Sequence, residues 1–425
     1  MSVTSVESQK PVLSLVRGLT RRIPGRRKQR VGTRHRRDGW RVYLWHPKSG
    51  SLGPMLDPVD QDWEEALNED TPWSVQIRKA DLAGIDRQWY TPWWGGVAIM
   101  RVVNGVEFPR AGGPITKWTN EDQESITLEG GGALTILEHR LVGTRFVVRD
   151  RSLGHIAWLL VDQQRIKPGG ALPIVDGSPD PDGRGHQRTY ESWNLANVGI
   201  RKLLKELSEV RNGPDIMFRL EWADDEHRSL QWVMHHGTQH SPRIHSDLIH
   251  DFDTTAARSP VATLQVVTDS AALASRVWVT GSGEGEGTRI ARAEDLRLLE
   301  HGFLFLETVV SDPGATGSAD VATDGSTELT TEQQQAAAAE EMEKLREIAA
   351  GEMAARVDAV DQITVTVRAD DPGHGVHLLH AGDPAVVTIA GYLSVPDGTY
   401  QTRIIKISGG ADELVTIDFQ TDTWV

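Results

Sequence analysis

The residues of this chain best suited to chemistry fall into a few tight groups. His235, His236, His240, His245 and His250 lie within sixteen residues, and His374, His377 and His380 form a second short run. Imidazoles at this density can ligate a transition metal. Neither run has the HExxH spacing that places two ligands and a base on one helix face, so both read as surface loops. The stretch Asp176-Gly177-Ser178-Pro179-Asp180-Pro181-Asp182-Gly183 offers carboxylates for calcium. It lacks the alternating acidic order and the closing bidentate Glu, and its prolines limit how it could wrap an ion, so it reads as a turn-rich connector. Thr280-Gly281-Ser282-Gly283-Glu284-Gly285-Glu286-Gly287 has the glycine density of a phosphate cradle. A Walker loop needs a lysine that is absent here, a dinucleotide loop must open a helix, and Glu284 and Glu286 repel phosphate. A flexible strand connection or bulge fits better.

Other reaction classes meet similar obstacles. With 60 acidic residues, carboxylate pairs for glycoside hydrolysis are plentiful, and spacing singles none out. The chain has no GxSxG elbow. It has no cysteine, which excludes disulfides, Cys-ligated zinc and thiol catalysis together. No catalytic residue, metal set or cofactor is expected. Trp outnumbers Tyr by 14 to 5, and Trp89, Trp93 and Trp94 cluster in one short segment. Exposed Trp can stack on sugar rings, but core packing or a subunit interface is the commoner use.

The elements that would position these groups are mostly strands. Trp40–Trp45 and Trp73–Ile77 alternate with period two. Gly96–Val103 runs into Asn104-Gly105 and Val106-Glu107-Phe108, and Asn-Gly between apolar runs predicts a type I′ hairpin. Residues 38–150 read as a first β domain. An α+β middle follows over 151–240, with helices over Leu153–Gln164 and Asn194–Val210 and strands at Ile216–Leu220 and Leu230–Met234. A second β block covers 241–327, with strands at Val261–Val267, Arg276–Thr280 and Phe303–Glu307 and a low-complexity loop at its end. Residues 328–360 read as a helix opened by a capping box of Thr330 and Gln333. The last block, 361–425, is strand and turn, at a spacing that suits a small barrel or sandwich. The expected fold is mainly β with an α+β middle.

Charge divides the chain. Residues 1–37 hold eleven Lys/Arg and one acid, about +10, which leaves 34 basic and 59 acidic residues, or −25, for the rest. The basic groups of this arm include Arg21, Arg22, Arg26, Arg27, Lys28, Arg30, Arg34, Arg36 and Arg37. Like charges and Pro24, Gly25 and Gly32 favour an extended arm. It could stay solvated, clamp an acidic neighbour or bind nucleic acid, although it lacks interleaved aromatics for base stacking. Pro11–Val16 is too short for a signal peptide core, and no run is long and apolar enough to span a bilayer. Synthesis in a cytoplasm without membrane anchoring is expected.

Several segments resemble the tail hub, a class of minor tail protein in long-tailed phages of actinobacteria. They are Gly39-Trp40-Arg41-Val42, Trp73–Ile77 and Asp86-Arg87-Gln88-Trp89, then Asn197–Leu204, and most specifically Ser275–Gly287 followed by Leu306-Glu307-Thr308-Val309. The resemblance covers 39–425 and leaves out the basic arm. It implies a homotrimer whose subunits each supply two tube-type β domains, so that three subunits present six to a six-fold tail tube. It also implies a place at the distal end of the virion's tail. Expected partners there are the distal tail protein, the tape measure and tip or fibre proteins, with DNA passing through the lumen. An acidic body suits such a conduit, because like charge keeps the duplex off the wall. Two other readings remain, a tail-associated cell-wall hydrolase and a carbohydrate- or receptor-binding module built on Trp93 and Trp94.

Overall fold

The computed structural model describes residues 38–191, 199–210, 212–244, 246–282, 285–311, 331–356, 360–371, 373–393 and 395–421. The basic arm, Arg21 to Arg37 included, and the low-complexity stretch 312–330 lie outside these residues. The chain is mainly β, with 43% strand against 20% helix.

The first strands are β1 (Gly39–Trp45), β2 (Leu52–Leu56), β3 (Pro58–Ala66), β4 (Trp73–Arg78), β5 (Gly96–Val103), β6 (Val106–Thr119) and β7 (Ser125–Gly130). After helix α1 (Ala133–Leu137) come β8 (Phe146–Arg151), α2 (Leu153–Arg165), β9 (Ile174–Asp176), β10 (His186–Tyr190), α3 (Ile200–Glu209), β11 (Ile216–Trp222) and β12 (Leu230–His236). Next are β13 (His250–Asp253), β14 (Val261–Asp269), β15 (Arg276–Thr280), β16 (Ile290–Glu294), α4 (Arg297–Glu300), β17 (Glu307–Ser311) and α5 (Thr331–Ala354). The chain ends with β18 (Val360–Arg368), β19 (Pro384–Ile389), β20 (Gly398–Gly410) and β21 (Leu414–Thr421).

Among the described residues, thirteen strands form one sheet in the order β14-β18-β21-β20-β3-β4-β7-β6-β5-β1-β2, with β19 and β13 branching from β20. The last block does not close a barrel on itself. Its strands join those of the first block, because β20 pairs with β3 from Lys406 opposite Ala66 to Gly410 opposite Asp62. One hydrophobic core runs beneath both blocks, from Val42, Val75 and Leu128 to Val365, Ile404 and Ile417.

The pairing contains an internal repeat. The set β3, β4, β5, β6, β7 is linked as β3·β4, β4·β7, β7·β6 and β6·β5, all antiparallel. The set β14, β18, β19, β20, β21 is linked in the same way and in the same chain order. Two irregularities coincide as well, while the shift between Ile99 and Met100 on β5 has no counterpart on β19. Register shifts fall between Pro58 and Asp60 on β3 and between Val261 and Thr263 on β14. They fall between Ile115 and Lys117 on β6 and between Ile404 and Lys406 on β20. A bulge bends and twists its strand, so matching bulges give the two units the same path.

Local signals place many elements as read. Asn104 and Gly105 have φ of 51° and 79°, the left-handed pair that a type I′ turn demands. Ser152 caps α2 by accepting from the His155 N–H at 3.2 Å. The second helix of the middle is found from Ile200, and residues 192–198 lie outside the described set. Thr330 of the proposed capping box also lies outside it. One strand differs: Phe303–Leu306 pairs with nothing as a strand, and β17 starts at Glu307. The run is apolar, yet its side chains lie exposed on the surface.

The middle region packs α1, α2 and α3 with β9, β11 and β12 around its own core of Leu137, Ile156, Leu203 and Trp232. A small lobe sits between β14 and β18. Its sheet, β16-β15-β17, packs Val277, Val279 and Ala291 on Leu345 and Ala349 of α5.

Candidate functional site

The densest polar chemistry lies buried where the two β units meet. On β3 the period-two alternation points Gln61, Trp63 and Glu65 inward, although two of these are polar. Glu65 is 4% exposed and Arg110, on β6, is 3% exposed. Their ion pair is 2.7 Å long. Arg110 also donates to the Leu379 carbonyl at 2.7 Å, and its guanidinium lies 5.1 Å from the Trp63 ring centre. Glu65 accepts from the Ala381 N–H at 2.8 Å and faces His380 Nδ1 at 3.4 Å. Burial favours the neutral acid, but Arg110, then His380 and Arg219, outweigh it and hold Glu65 at about 2. Burial lowers the pKa of His380, with Glu65 pulling the other way.

The network continues into the middle region. Asp383 lies 3.7 Å from Arg219 of β11 and 3.3 Å from His250 of β13, and it accepts from the His380 N–H at 2.9 Å. Arg403 of β20 pairs with Asp215 and donates to the Gly382 carbonyl at 3.1 Å. A second tie joins Arg101 of β5, almost wholly buried, to Glu413 in the β20–β21 turn at 2.7 Å. Every ion has a partner, which is what lets charge persist away from water. The arrangement holds elements together.

The opposite face of the same strands is open. There β3, β4, β6, β7, β18, β20 and β21 line a groove of about 960 Å³. Its carboxylates are Asp60, Asp62, Glu64, Glu129 and Asp412, interspersed with Ser74, Thr366, Ser408 and Thr416. Lys406 pairs with Glu64 and Lys117 with Glu129, each at 2.6 Å. Asp60, Asp62 and Asp412 have no cationic partner among the described residues. The result is a polar, net acidic sheet face.

The groups singled out by type and spacing are dispersed. Trp89, Trp93 and Trp94 do come together, in the segment before β5. Trp89 and Trp94 meet edge to face at 5.5 Å, and Trp89 packs over Gly53 of β2. Trp93 is 52% exposed, meets His139 at 5.0 Å and has φ of +63°, a left-handed conformation rare for a bulky residue. Three of the histidines depart from the surface-loop reading, while His240 is an exposed loop residue, His374, His377 and His380 lie in the β18–β19 connection, and His245 lies outside the described residues. His235 and His236 lie on β12 and His250 on β13, and the latter two are buried. Their strands alternate inward, and carboxylates receive them: Asp176 lies 3.3 Å from His236. Among the described residues, no group of three or more His, Asp or Glu could hold a metal ion. Asp176 and Asp180 instead accept main-chain bonds from Ser178 and Gln239, as a connector would. The glycine-rich segment is the β15–β16 connection. Glu341 of α5, fully buried, accepts from the N–H and hydroxyl of Ser282 at 2.9 and 2.7 Å and pairs with Arg289.

Sequence reasoning missed Glu65, Arg110, Arg219, Asp383 and Arg403. Each sits in a segment whose partners are far along the chain, so spacing carries no trace of them. A faint signal existed in β3, where an acid-rich run holds a Trp.

No family model and no curated protein matches the chain. Among solved structures it is similar to the tail protein from Neisseria meningitidis MC58, at 13% identity and a TM-score of 0.48, over 90% of this chain and 97% of that one. It is similar to the 43 kDa tail protein of prophage MuSo2 from Shewanella oneidensis, at 12% identity and 0.48, over 90% and 98%. It is also similar to the prophage tail protein gp18 from Listeria monocytogenes EGD-e, at 9% identity and 0.44, over 90% and 94%.

Proposed function

We propose that this chain is a structural hub subunit of a bacteriophage tail tip, joining the tail tube to the distal tip and lining the DNA exit channel. The observation that carries this reading is the repeated strand unit. One chain holds two copies of the same five-strand unit, joined edge to edge by β3 and β20. A closed ring of three such chains presents six like units, the number that a six-fold tube meets at its end. The polar, acidic face of the central strands supports the channel role, since unpaired carboxylates repel passing duplex and offer it no binding site. In this reading the chain is made in the host cytoplasm and works at the distal end of the virion's tail. Its partners are two further copies, the distal tail protein, the tape measure and tip or fibre proteins. The arm residues Arg21 to Arg37 clamp an acidic neighbour, and Trp89, Trp93 and Trp94 serve packing and assembly rather than sugar binding.

The test is an electron-microscopy map of the tail with this chain located by a fused tag. Three copies at the end of the tube are expected, and six copies, or a site elsewhere on the particle, would overturn the proposal. The hub carries no catalytic activity of its own in this reading. A lytic band on host cell walls that maps to the purified chain would return the hydrolase.

A further inference from the structure

We infer that the unpaired edge of β14 and the unpaired C-terminal stretch of β6 are the two halves of a head-to-tail joint between copies of this chain, built in the register of the internal β3–β20 joint. The matching bulges set the equivalence. Asp60 corresponds to Thr263, which makes Glu64 of β3 the counterpart of Val267 on β14. Lys117 corresponds to Lys406, which makes Thr119 of β6 the counterpart of Ser408 on β20. Within the chain, β20 has three neighbours: β19 and then β3 along one edge, and β21 along the other. Among the described residues β6 has only two, β5 and β7, and the edge that β3 fills on β20 has no strand beyond Ile115 on β6. Among the described residues β14 pairs only with β18, whereas its counterpart β3 pairs on both sides. Each copy thus carries one unfilled donor edge and one unfilled acceptor edge of a joint that it already makes once internally. Ser408 lies opposite Glu64 inside the chain, so the joint between copies places Thr119 opposite Val267.

Two further features agree. β14 has no Lys, Pro or charged residue from Val261 to Val267, and its bulge, at Val261 to Thr263, lies before the stretch that the joint uses. Trp93 occupies the position equivalent to Gly382: its N–H donates to the Ile115 carbonyl at 2.8 Å, as Gly382 N–H donates to Ile404 at 2.7 Å. Both have positive φ. A Cβ at Gly382 would lie 3.5 Å from Leu67, the residue that follows β3 across the internal joint. Trp93 therefore projects toward the chain leaving β14 of the neighbouring copy. Its strained backbone and exposed ring gain their contacts there.

The pairing of edges rests on this chain's own strands, and only its closure at three copies rests on the hub reading. The absence of cysteine gives a clean assay. In the purified full chain, Thr119→Cys with Val267→Cys should oxidise to a covalent ladder ending at three copies, and neither single variant should cross-link. Antiparallel neighbours lie within disulfide reach. A ladder that closes at another number upholds the joint and overturns the three-fold ring. A chain that assembles by sedimentation, closes Glu64→Cys with Ser408→Cys internally, and gives no product from the first pair overturns the joint. A chain that stays monomeric also overturns it. Trp93→Gly should weaken self-association by about ten-fold or more while leaving the monomer's melting temperature equal or higher, because glycine relieves the left-handed backbone. Unchanged association would remove Trp93 from the joint.

Discussion

At the residue scale, the fold depends on charges that cannot be neutral bystanders. Glu65 and Arg110 are both buried, so removing either leaves the other ionised in a medium that solvates it poorly. Glu65→Gln should cost roughly 3–5 kcal/mol, read by denaturant melts, and replacing both by apolar residues of similar volume should recover much of that loss. The same pair sets a pH dependence. Glu65 titrates at about 2 in the folded chain against an ordinary 4.5, so its contribution is full at neutral pH and fades as pH falls from about 4.5 toward 2. His380 is held below its ordinary 6.5, so the unfolded chain takes up a proton first and stability drops as pH falls through that value. Both effects have one sign. The melting temperature should fall in two stages on acidification, and Glu65→Gln should diminish the second, to which other carboxylates held below their ordinary range, such as Glu129, Asp176 and Glu221, also contribute. A melting temperature that is flat between pH 7 and pH 4 would show that His380 does not titrate differently on unfolding.

At the scale of elements, the second unit differs from the first chiefly by what is inserted in it. β3 and β4 are joined by a short turn, whereas β14 and β18 are separated by the whole β15–α5 lobe. Yet Asp269 lies opposite Val360, so the lobe leaves and re-enters the sheet at neighbouring residues. The lobe has its own core and touches the middle region where α5 meets α3 and through Arg188–Glu347 at 3.5 Å, a partly exposed pair of small energetic weight. Replacing residues 271–358 with a short glycine-containing turn should therefore leave the sheet folded, with a single cooperative melt within ~5 °C of the parent. A broad or lost transition would mean that the lobe supports the sheet.

At the scale of the whole molecule, charge is the organising fact. A body of about −25 carries an arm of about +10. Ordering such an arm costs roughly 1–2 kcal/mol per residue in backbone entropy, so only a partner offering many charge-assisted contacts could hold it. Deleting residues 1–37 should leave the body's melting behaviour unchanged and impair its incorporation into tails. Infectious particles at normal yield from the truncated chain would show the arm to be dispensable.

The sequence alone determined what is local. The Asn104-Gly105 turn, the helix capped by Ser152 and the apolar alternation of β1, β4 and β5 are written in neighbouring residues, because turns, caps and period-two burial are set by backbone geometry within a few positions. It also excluded thiol chemistry outright. β3 escaped notice because its inward Gln61 and Glu65 look like solvent-facing residues until their partners are known. Phe303–Leu306 passed for a buried strand because hydrophobicity reports the wish to be covered and not what does the covering. The repeat was invisible because the two units share strand order and bulge positions, and these constrain pairing far more than they constrain side-chain identity. Only the tertiary structure decided which distant charges meet, which edges stay open and which sheet face is acidic, since each depends on segments brought together from opposite ends of the chain.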